Sequence, residues 1–309
     1  MKPLVISVVG PTAVGKSKLG VKIAERFDGE VISGDSMQIY RTMDIGTAKI
    51  TEEEMCGIPH HMIDIKDPDE SFSVAEFQAD VQELINDVYE RGKVPVLVGG
   101  TGLYIQATLE DFNFSDEKKD TEVIKRLEKE LEEKGKEYMF ERLHAVDPQQ
   151  AVRIHPNNER RLIRALELYE TTGRVMSEFH EEQAGESPFR PVMIGLEMDR
   201  ELLYRRINRR VDQMVEEGLV EEVQRLYKQG LTEAQSMKAI GYKELIPYFR
   251  GEYSLARSIE LLKRNSRRYA KRQYTYFKNK MEIQWYEIDE NNYNDKFETI
   301  LDDLAGKIG

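Results

Sequence analysis

A phosphate-binding loop is the sequence feature with the clearest chemistry. Residues 10–17, GPTAVGKS, match the pattern G-x-x-x-x-G-K-S at every fixed position. The glycines let consecutive backbone N–H groups point at phosphate oxygens, and the helix that follows adds the positive end of its dipole. Lys16 offers a full charge to the terminal phosphate, and the Ser17 hydroxyl is suited to bind Mg²⁺. The segment predicts a site for a di- or triphosphate, formed by Gly10, Pro11, Thr12, Ala13, Val14, Gly15, Lys16 and Ser17.

A carboxylate follows the second predicted strand, in the segment GDSMQIY at 34–40. Because the strands of this fold are expected to be parallel, Asp35 should lie at the same rim of the sheet as the phosphate loop. An aspartate there can bind magnesium or accept a proton as a general base, and the alternative is a turn or helix-capping residue. The neighbouring Ser36 and Gln38 have hydrogen-bonding groups suited to reading the edge of a nucleobase.

The third predicted strand, at 94–98, ends in a glycine-rich turn with the sequence GGTGLY at 99–104. P-loop NTPases usually hold Mg²⁺ through a carboxylate after such a strand, and this turn offers none. A glycine-rich turn at this edge of the sheet allows a substrate to approach the backbone closely, or is an ordinary connection between strand and helix.

Two groups of arginines are candidates for phosphate contacts. In a helix predicted over 199–217, Arg206 and Arg210 lie four residues apart on one face, where they clamp a phosphate leaving group or form solvated ion pairs. The second group comprises Arg153, Arg160, Arg161 and Arg164. It is typical of a kinase lid, of contacts to an RNA backbone, or of a solvated helix face.

The net charge of −12 argues against a nucleic-acid partner for the chain as a whole, but basic residues are concentrated near its end. Eight of them, and no acidic residue, lie between Leu261 and Met281: Lys263, Arg264, Arg267, Arg268, Lys271, Arg272, Lys278 and Lys280. Aromatic residues are interleaved with them. This pattern suits a nucleic-acid backbone with an unstacked base, and the alternative is a basic face paired with the acidic remainder of the protein.

Cysteine and histidine usage favours neither a disulfide nor a metal centre. The single cysteine, Cys56, excludes an intramolecular disulfide and a cysteine-based zinc site, and it points to a reducing compartment. The adjacent His60 and His61 point to different sides of a strand or loop, and no third ligand lies at a suitable spacing, so we expect them to serve packing. No apolar run approaches the length of a membrane span, and we expect a cytoplasmic protein. Separately, we expect a monomer.

The elements around these segments predict an α/β fold: a P-loop NTPase-like parallel sheet flanked by helices, with an inserted all-helical domain. Strands at 4–9, 30–33 and 94–98 alternate with helices at 17–27 and 73–91, which is typical of a parallel sheet covered on both faces. Residues 113–189 contain no convincing strand and predict the insertion, with a break at Gly135. The α/β core, 1–112 and 190–309, is therefore discontinuous. Further elements are expected at 192–197, 199–217, 219–229, 238–249, 254–279, 283–288 and 293–307.

Eight segments together resemble the tRNA dimethylallyltransferase family. They are GPTAVGKS at 10–17, GDSMQIY at 34–40, IPHHMIDI at 58–65, VLVGGTGLY at 96–104, HPNNERRLIRALE at 155–167, RINRRVDQMVEEGLVEEV at 206–223, SMKAIGYKEL at 236–245 and RRYAKRQYTYF at 267–277. They occur in the family's order and span nearly the whole chain. Only the first is a generic motif, so the set is specific to the family.

The resemblance implies a Mg²⁺-dependent transfer of a dimethylallyl group from dimethylallyl diphosphate to tRNA. The acceptor it implies is the exocyclic amine of the adenosine immediately 3′ to the anticodon. It also implies that the phosphate loop holds a prenyl diphosphate rather than ATP, and that the two substrates enter a central channel from opposite ends. The insertion at 113–189 would then grip the anticodon stem-loop.

The resemblance also implies roles for individual residues. Asp35 would accept the proton of the amine, and Thr101 would contact the adenosine or Asp35. Lys16, the loop amides, Mg²⁺ on Ser17 and Arg210 would stabilise the leaving diphosphate, with Arg206 also at this site. Contacts to tRNA are expected from Asp35, Ser36, Met37, Gln38, Thr101, Glu159, Arg160, Arg161, Leu162, Ile163, Arg268, Lys271 and Arg272.

Three other interpretations of the sequence remain. A small-molecule P-loop kinase would use residues 153–164 as its lid, but the turn at 99–104 without an acidic residue argues against it. A non-catalytic nucleotide-dependent RNA-binding protein would keep the basic segment but would have no reason for Asp35 beside the loop. A prenyltransferase that acts on free AMP would not need the helical insertion.

Overall fold

A computed structural model describes residues 2–114, 120–181, 186–290 and 292–308. The chain divides into two compact units. The first is formed by Met1–Leu109 and Ser187–Gly309, and the second by Glu110–Glu186. The insertion predicted from the sequence begins and ends three residues later than this second unit.

The first unit contains a six-stranded sheet in which every pair of neighbouring strands is parallel. Its strands are β1 Leu4–Val9, β2 Gly29–Ser33, β3 His60–His61, β4 Val94–Gly99, β5 Arg190–Glu197 and β6 Gln284–Glu287. Their order across the sheet is β3-β2-β4-β1-β5-β6, so that the strand before the phosphate loop is central. Ile6 of this strand pairs with Val96 on one side and with Val192 on the other.

The described helices flank the sheet or form the second unit. In chain order they are α1 Lys16–Phe27, α2 Glu52–Met55, α3 Val74–Glu90, α4 Gly102–Glu110, α5 Thr121–Val146, α6 Pro148–Arg153, α7 Glu159–Thr172, α8 Met176–Glu181, α9 Arg200–Glu216, α10 Leu219–Lys228, α11 Ile246–Phe249, α12 Leu255–Lys280 and α13 Tyr293–Ile308. The predicted capping box opens α3: the Ser73 hydroxyl accepts from the Glu76 N–H, and the Glu76 carboxylate accepts from the Ser73 N–H. None of the described helices is long and apolar enough to cross a membrane.

Apolar side chains cover both faces of the sheet. Val5 and Val9 of β1 pack in a cluster with residues of α3, α10 and α12, whereas Ile6 and Val8 pack with residues of α1 and α13. All six residues of β1 are buried, as a central parallel strand requires. Because apolar side chains fill both faces of the sheet, polar functional groups are expected in the loops at the ends of the strands.

The second unit is built around a small core between α5 and α7. Its buried side chains include Leu127, Met139, Leu143, Leu162 and Leu166. The predicted break at Gly135 is confirmed, because this residue interrupts α5 with φ +82° and ψ 167°. The buried Asp147 carboxylate accepts hydrogen bonds of 3.0 Å from the N–H groups of Gln150 and Ser177, which ties α6 to α8.

The helix predicted over 238–249 is wrong. The structure has a 3₁₀ turn at Ser236–Lys238 and then irregular backbone up to the single turn of α11. Gly241 adopts φ +106°, and the Tyr242 ring is fully buried against Gly46, where a Cβ would lie 2.5 Å from the ring. Tertiary packing of Tyr242 therefore overrides the helical spacing of its neighbours.

Candidate active site at the phosphate loop

The phosphate loop joins the end of β1 at Val9 to the start of α1 at Lys16. Gly10, Ala13 and Gly15 adopt positive φ angles of 143°, 65° and 104°, which curl the backbone. Gly15 has no side chain that could cap the helix. The N–H groups of the first helical turn are therefore available to an anion.

Lys16 lies folded back over this loop. Its Nζ donates a hydrogen bond of 2.8 Å to the Pro11 carbonyl oxygen. Burial lowers the pKa of Lys16 to about 8; the Asp35 carboxylate raises it and the Arg210 charge lowers it further. The ammonium group is still largely protonated at neutral pH, and an anion bound in the loop would stabilise that state.

Asp35 lies two residues beyond the end of β2, close enough to Lys16 and Arg210 for their charges to influence the pKa of its carboxyl group. The Met37 N–H donates a hydrogen bond of 2.8 Å to its Oδ1. Burial raises the pKa of Asp35, whereas the Met37 hydrogen bond and the Lys16 and Arg210 charges lower it; the net direction is upward. A carboxylate with a raised pKa is the stronger proton acceptor.

The glycine-rich turn after β4 contacts the Asp35 segment through Thr101. Its Oγ1 accepts a hydrogen bond of 3.2 Å from the Ser36 N–H and lies 3.4 Å from the Ser36 Oγ. The structure therefore brings Thr101 to the residue next to Asp35. Met37 is half-buried and packs on the apolar core, so only part of its surface is open.

Helix α9 presents both predicted arginines to the loop. Arg206 Nε donates to the Ala13 carbonyl oxygen at 3.0 Å, and the terminal nitrogens of Arg210 lie 3.5 Å from Thr12 Oγ1 and from the Ala48 carbonyl oxygen. Burial lowers the pKa of Arg210, and the Asp35 carboxylate raises it. A guanidinium remains charged in any case, so a partly buried positive charge lies at the loop.

Gln38 needs a correction, because its side chain is already bound within the protein. Its Oε1 accepts a hydrogen bond of 3.1 Å from Ser33 Oγ, and its Nε2 donates to the carbonyl oxygens of Thr47 and Ala48 at 3.4 and 3.2 Å. Both ends of the amide are thus occupied. In this structure Gln38 holds the 47–48 backbone in place and does not offer its amide to a base edge.

Glu222 was not predicted, yet it fixes the loop that carries these carbonyl groups. Its buried carboxylate accepts hydrogen bonds of 2.9–3.0 Å from the N–H groups of Asp44, Ile45 and Gly46. It also accepts one of 2.6 Å from the hydroxyl of Tyr242. A carboxylate that meets three consecutive N–H groups stabilises a fixed loop conformation.

Two residues of α12 beside the site were not predicted as functional either. The Gln273 side chain accepts from the Thr12 N–H at 2.8 Å and donates to the Gly100 carbonyl oxygen at 3.0 Å. Burial and the Asp35 charge raise the pKa of Tyr269 to about 12, against the effect of the Thr101 side chain, so its phenol stays protonated. The sequence feature that could have indicated Gln273 is its polar side chain, which lies on the buried helix face that also carries Ala270 and Phe277.

The basic segment of α12 divides into paired and unpaired residues. Lys263 pairs with Asp212 at 2.5 Å, and Lys278 pairs with Glu197 at 2.9 Å, as the alternative of an ion-paired face predicted. Arg268, Lys271 and Arg272 are exposed, and none of them forms an ion pair with the described residues. Arg272 lies over the Tyr269 ring at 5.7 Å. Arg264 and Lys280 are also exposed and form no ion pair with the described residues. Unpaired positive charge therefore extends along α12, and three of its residues lie within 268–272.

In the second unit, the predicted tRNA-binding residues lie in the first turns of α7. Glu159, Arg160 and Arg161 are exposed, and Ile163 is half-buried. Leu162 needs a correction, since its side chain is completely buried in the core of the unit and offers no surface for contact. Only the backbone of Leu162 shares the position of Glu159, Arg160 and Arg161 in the first turns of α7.

The two histidines form the edge strand β3, which the sequence did not predict. His61 Nε2 lies 2.7 Å from Glu30 Oε2, which also pairs with Arg91 at 2.9 Å. His60 Nδ1 lies 2.8 Å from the Ile58 carbonyl oxygen, and burial lowers the pKa of His60. Within the described part of the chain, no group of three or more histidine, cysteine or carboxylate side chains could hold a metal ion.

Curated relatives resemble this chain over nearly its full length. The tRNA dimethylallyltransferase of Oceanobacillus iheyensis is 57% identical over 306 residues, which cover 99% of this chain and 98% of that protein. The tRNA dimethylallyltransferase of Bacillus pumilus is 55% identical over 309 residues, which cover 100% and 97%.

Solved structures of similar proteins confirm the predicted P-loop NTPase-like fold. The full-length tRNA isopentenylpyrophosphate transferase from Bacillus halodurans has a TM-score of 0.75 and 51% identity, covering 99% of this chain and 97% of that one. A eukaryotic dimethylallyltransferase acting on tRNA has a TM-score of 0.81 and 33% identity, covering 94% and 75%. A family model described as IPP transferase matches residues 38–280. The chain belongs to the IPP transferase family, whose members similar to it are tRNA dimethylallyltransferases.

Proposed function

We propose that this protein transfers a dimethylallyl group from dimethylallyl diphosphate to the exocyclic N6 amine of the adenosine immediately 3′ to the anticodon in tRNA, with release of diphosphate. The observation that carries the proposal is the position of the Asp35 carboxylate beside Lys16 and Arg210 of the phosphate site. A proton acceptor and a diphosphate site then lie together, as a transfer to an amine requires. The names of the relatives support the same reaction.

The acceptor amine needs help because the lone pair of its nitrogen is delocalised into the adenine ring. As the bond from N6 to the allylic carbon forms, the bond from that carbon to the diphosphate oxygen breaks, and the electron pair stays on the diphosphate. The nitrogen must lose a proton, and Asp35 accepts it. Thr101, through its contact with Ser36, keeps the Asp35 segment in place.

Charge that builds up on the diphosphate oxygen is met by groups already oriented toward the loop. Lys16 and Arg210 carry positive charge, and the free N–H groups at the start of α1 add the helix dipole. Arg206 is held at the Ala13 carbonyl and supports the loop itself. Because these groups are fixed before the substrate arrives, little reorganisation opposes the reaction.

Magnesium fits this site through oxygen donors. The Ser17 hydroxyl is exposed in the first turn of α1 and has no hydrogen-bond partner among the described residues. Mg²⁺ usually keeps several waters and binds to one or two protein oxygens together with substrate phosphates. Ser17 would hold the ion with the diphosphate oxygens, and the ion would supply positive charge to the leaving group.

Two exposed basic surfaces are suited to the tRNA backbone. One is the 268–272 part of α12 in the first unit, and the other is formed by Arg160 and Arg161 in the second unit. We propose that the second unit binds the anticodon stem-loop. The target base must leave its stack to react, which costs a few kcal/mol and is least costly in a loop.

Mass analysis of nucleosides tests the proposal. tRNA is incubated with the protein, Mg²⁺ and either dimethylallyl diphosphate or ATP, and is then digested. We expect dimethylallyl-adenosine only with the prenyl donor, and at the position 3′ to the anticodon. Consumption of ATP without prenylation would support a kinase, and prenylation of free AMP in preference to tRNA would contradict the acceptor.

A further inference from the structure

Tyr293, the first residue of α13, contacts the phosphate loop directly. Its hydroxyl donates a hydrogen bond of 2.6 Å to the Val14 carbonyl oxygen. A Cβ on Gly15 would lie only 1.4 Å from the same hydroxyl, and Gly15 has φ +104°. The Tyr293 side chain therefore fills the space beside Gly15, and any side chain at position 15 would displace it.

The sheet places Tyr293 on the opposite side of the loop from Asp35. The loop follows β1; β2, which leads to Asp35, lies two strands away in one direction, and β6, which leads to Tyr293, lies two strands away in the other. The charge of Asp35 perturbs Lys16 and Arg210, whereas the pKa of Tyr293 is raised by burial and lowered only by Arg206. The phosphate loop is thus bordered by the Asp35 segment on one side and by the Tyr293 ring on the other.

Several contacts fix this ring. It packs on Phe297 with ring centres 4.8 Å apart, and the Arg206 guanidinium and Lys18 ammonium lie 5.5 and 5.8 Å from its centre. The turn before α13 is held by reciprocal hydrogen bonds between Asp289 and Asn292. Moving the ring would break the Val14 hydrogen bond and both cation–π contacts. These contacts therefore hold the ring in one position beside the loop.

We propose that Tyr293 determines donor specificity by closing the phosphate loop on the β6 side. An organic group attached to a bound diphosphate can then extend only toward Asp35, where transfer takes place, and the nucleoside of ADP or ATP has no space on the other side. The identity of the prenyl donor rests on the proposed function, but the closure of the loop does not. Tyr293 also lies outside residues 38–280, which the family model matches.

Calorimetry with pyrophosphate and with ADP, each with Mg²⁺, tests this inference on the full chain. We expect wild-type protein to bind pyrophosphate and to bind ADP at least about tenfold more weakly. Tyr293→Ala should raise the affinity for ADP relative to pyrophosphate by about tenfold or more. Tyr293→Phe keeps the ring and should keep the preference for pyrophosphate.

A second variant guards against misfolding. Tyr293→Leu retains apolar packing on Phe297 but lacks the ring, so it should also gain affinity for ADP, and thermal melting shows whether each variant is folded. Equal binding of ADP and pyrophosphate by wild type, or an unchanged ratio in folded alanine and leucine variants, would overturn the inference. Failure of wild type to bind pyrophosphate at all would instead contradict the proposed function itself.

Discussion

The side-chain oxygen of Gln273 accepts a hydrogen bond of 2.8 Å from the backbone N–H of Thr12, although the two residues are 261 positions apart in the chain. The amide nitrogen of the same side chain donates to the Gly100 carbonyl oxygen at 3.0 Å. One residue of α12 therefore joins the phosphate loop to the glycine-rich turn that carries Thr101. This bridge connects the phosphate loop directly to the turn after β4.

Gln273→Leu should weaken both stability and diphosphate binding. The substitution leaves the Thr12 N–H and the buried Gly100 carbonyl without partners, at about 1–3 kcal/mol for each unsatisfied group. Urea unfolding and calorimetry with pyrophosphate measure the two effects. Gln273→Glu keeps the acceptor for Thr12 but sets a carboxylate oxygen against the Gly100 carbonyl and a negative charge at the phosphate loop, so it should lower the diphosphate affinity at least as much as the leucine variant. Unchanged stability and affinity in Gln273→Leu would show that the bridge is dispensable.

The rate should depend on pH through Asp35 and Lys16. Asp35 acts as a base only when deprotonated, so kcat/KM should fall as the pH drops below its raised pKa. Lys16 stabilises the diphosphate only when protonated, so kcat/KM should fall again as the pH rises through about 8. Lys16→Arg should move the alkaline limb to higher pH, because a guanidinium stays protonated. An alkaline limb that does not move in this variant would exclude Lys16 as its origin.

The affinity for tRNA should fall steeply with salt despite the net charge of −12. Arg268→Ala removes an exposed charge without an ion-pair partner in the described chain, so the slope of log K against log salt should become shallower by about 1. Filter binding of tRNA between low and physiological salt gives the slope.

Lys263→Ala provides the control for this measurement on the same helix. Lys263 is paired with Asp212 at 2.5 Å, so its replacement should leave the salt slope nearly unchanged. Equal slopes for wild type, Arg268→Ala and Lys263→Ala would show that Arg268 does not contact a phosphate of the tRNA.

Several residues of the candidate site could be predicted from short sequence patterns. The phosphate loop is a contiguous motif with a strand before it and a helix after it, and Asp35 follows from the rule that loops at the carboxyl ends of parallel strands share one rim. Arg206 and Arg210 followed from their spacing on one helix face. These features depend on short segments, so the sequence was sufficient to predict where they lie.

Contacts between distant segments could not be predicted in the same way. The partners of Gln273 and Tyr293 lie more than 170 residues away, and no local periodicity specifies such pairs. The helix predicted over 238–249 is wrong for the same reason. The contact between the buried Tyr242 ring and the distant Gly46 determines the backbone conformation there. Gln38 was predicted to read a base edge because its local sequence does not reveal its hydrogen bonds to Thr47 and Ala48. Those bonds depend on a loop that Glu222 of α10 holds in place.

Single-turnover prenylation by Asp35→Asn tests the central claim most directly. The amide has the shape of the carboxylate and can still accept the Met37 N–H, but it cannot take the proton of the adenine amine. We expect the rate of transfer from dimethylallyl diphosphate to tRNA to fall by about 10²–10⁴-fold, with the affinity for dimethylallyl diphosphate little changed, because Lys16 and the loop amides hold the diphosphate. A near wild-type rate in this variant would contradict the assignment of Asp35 as the general base.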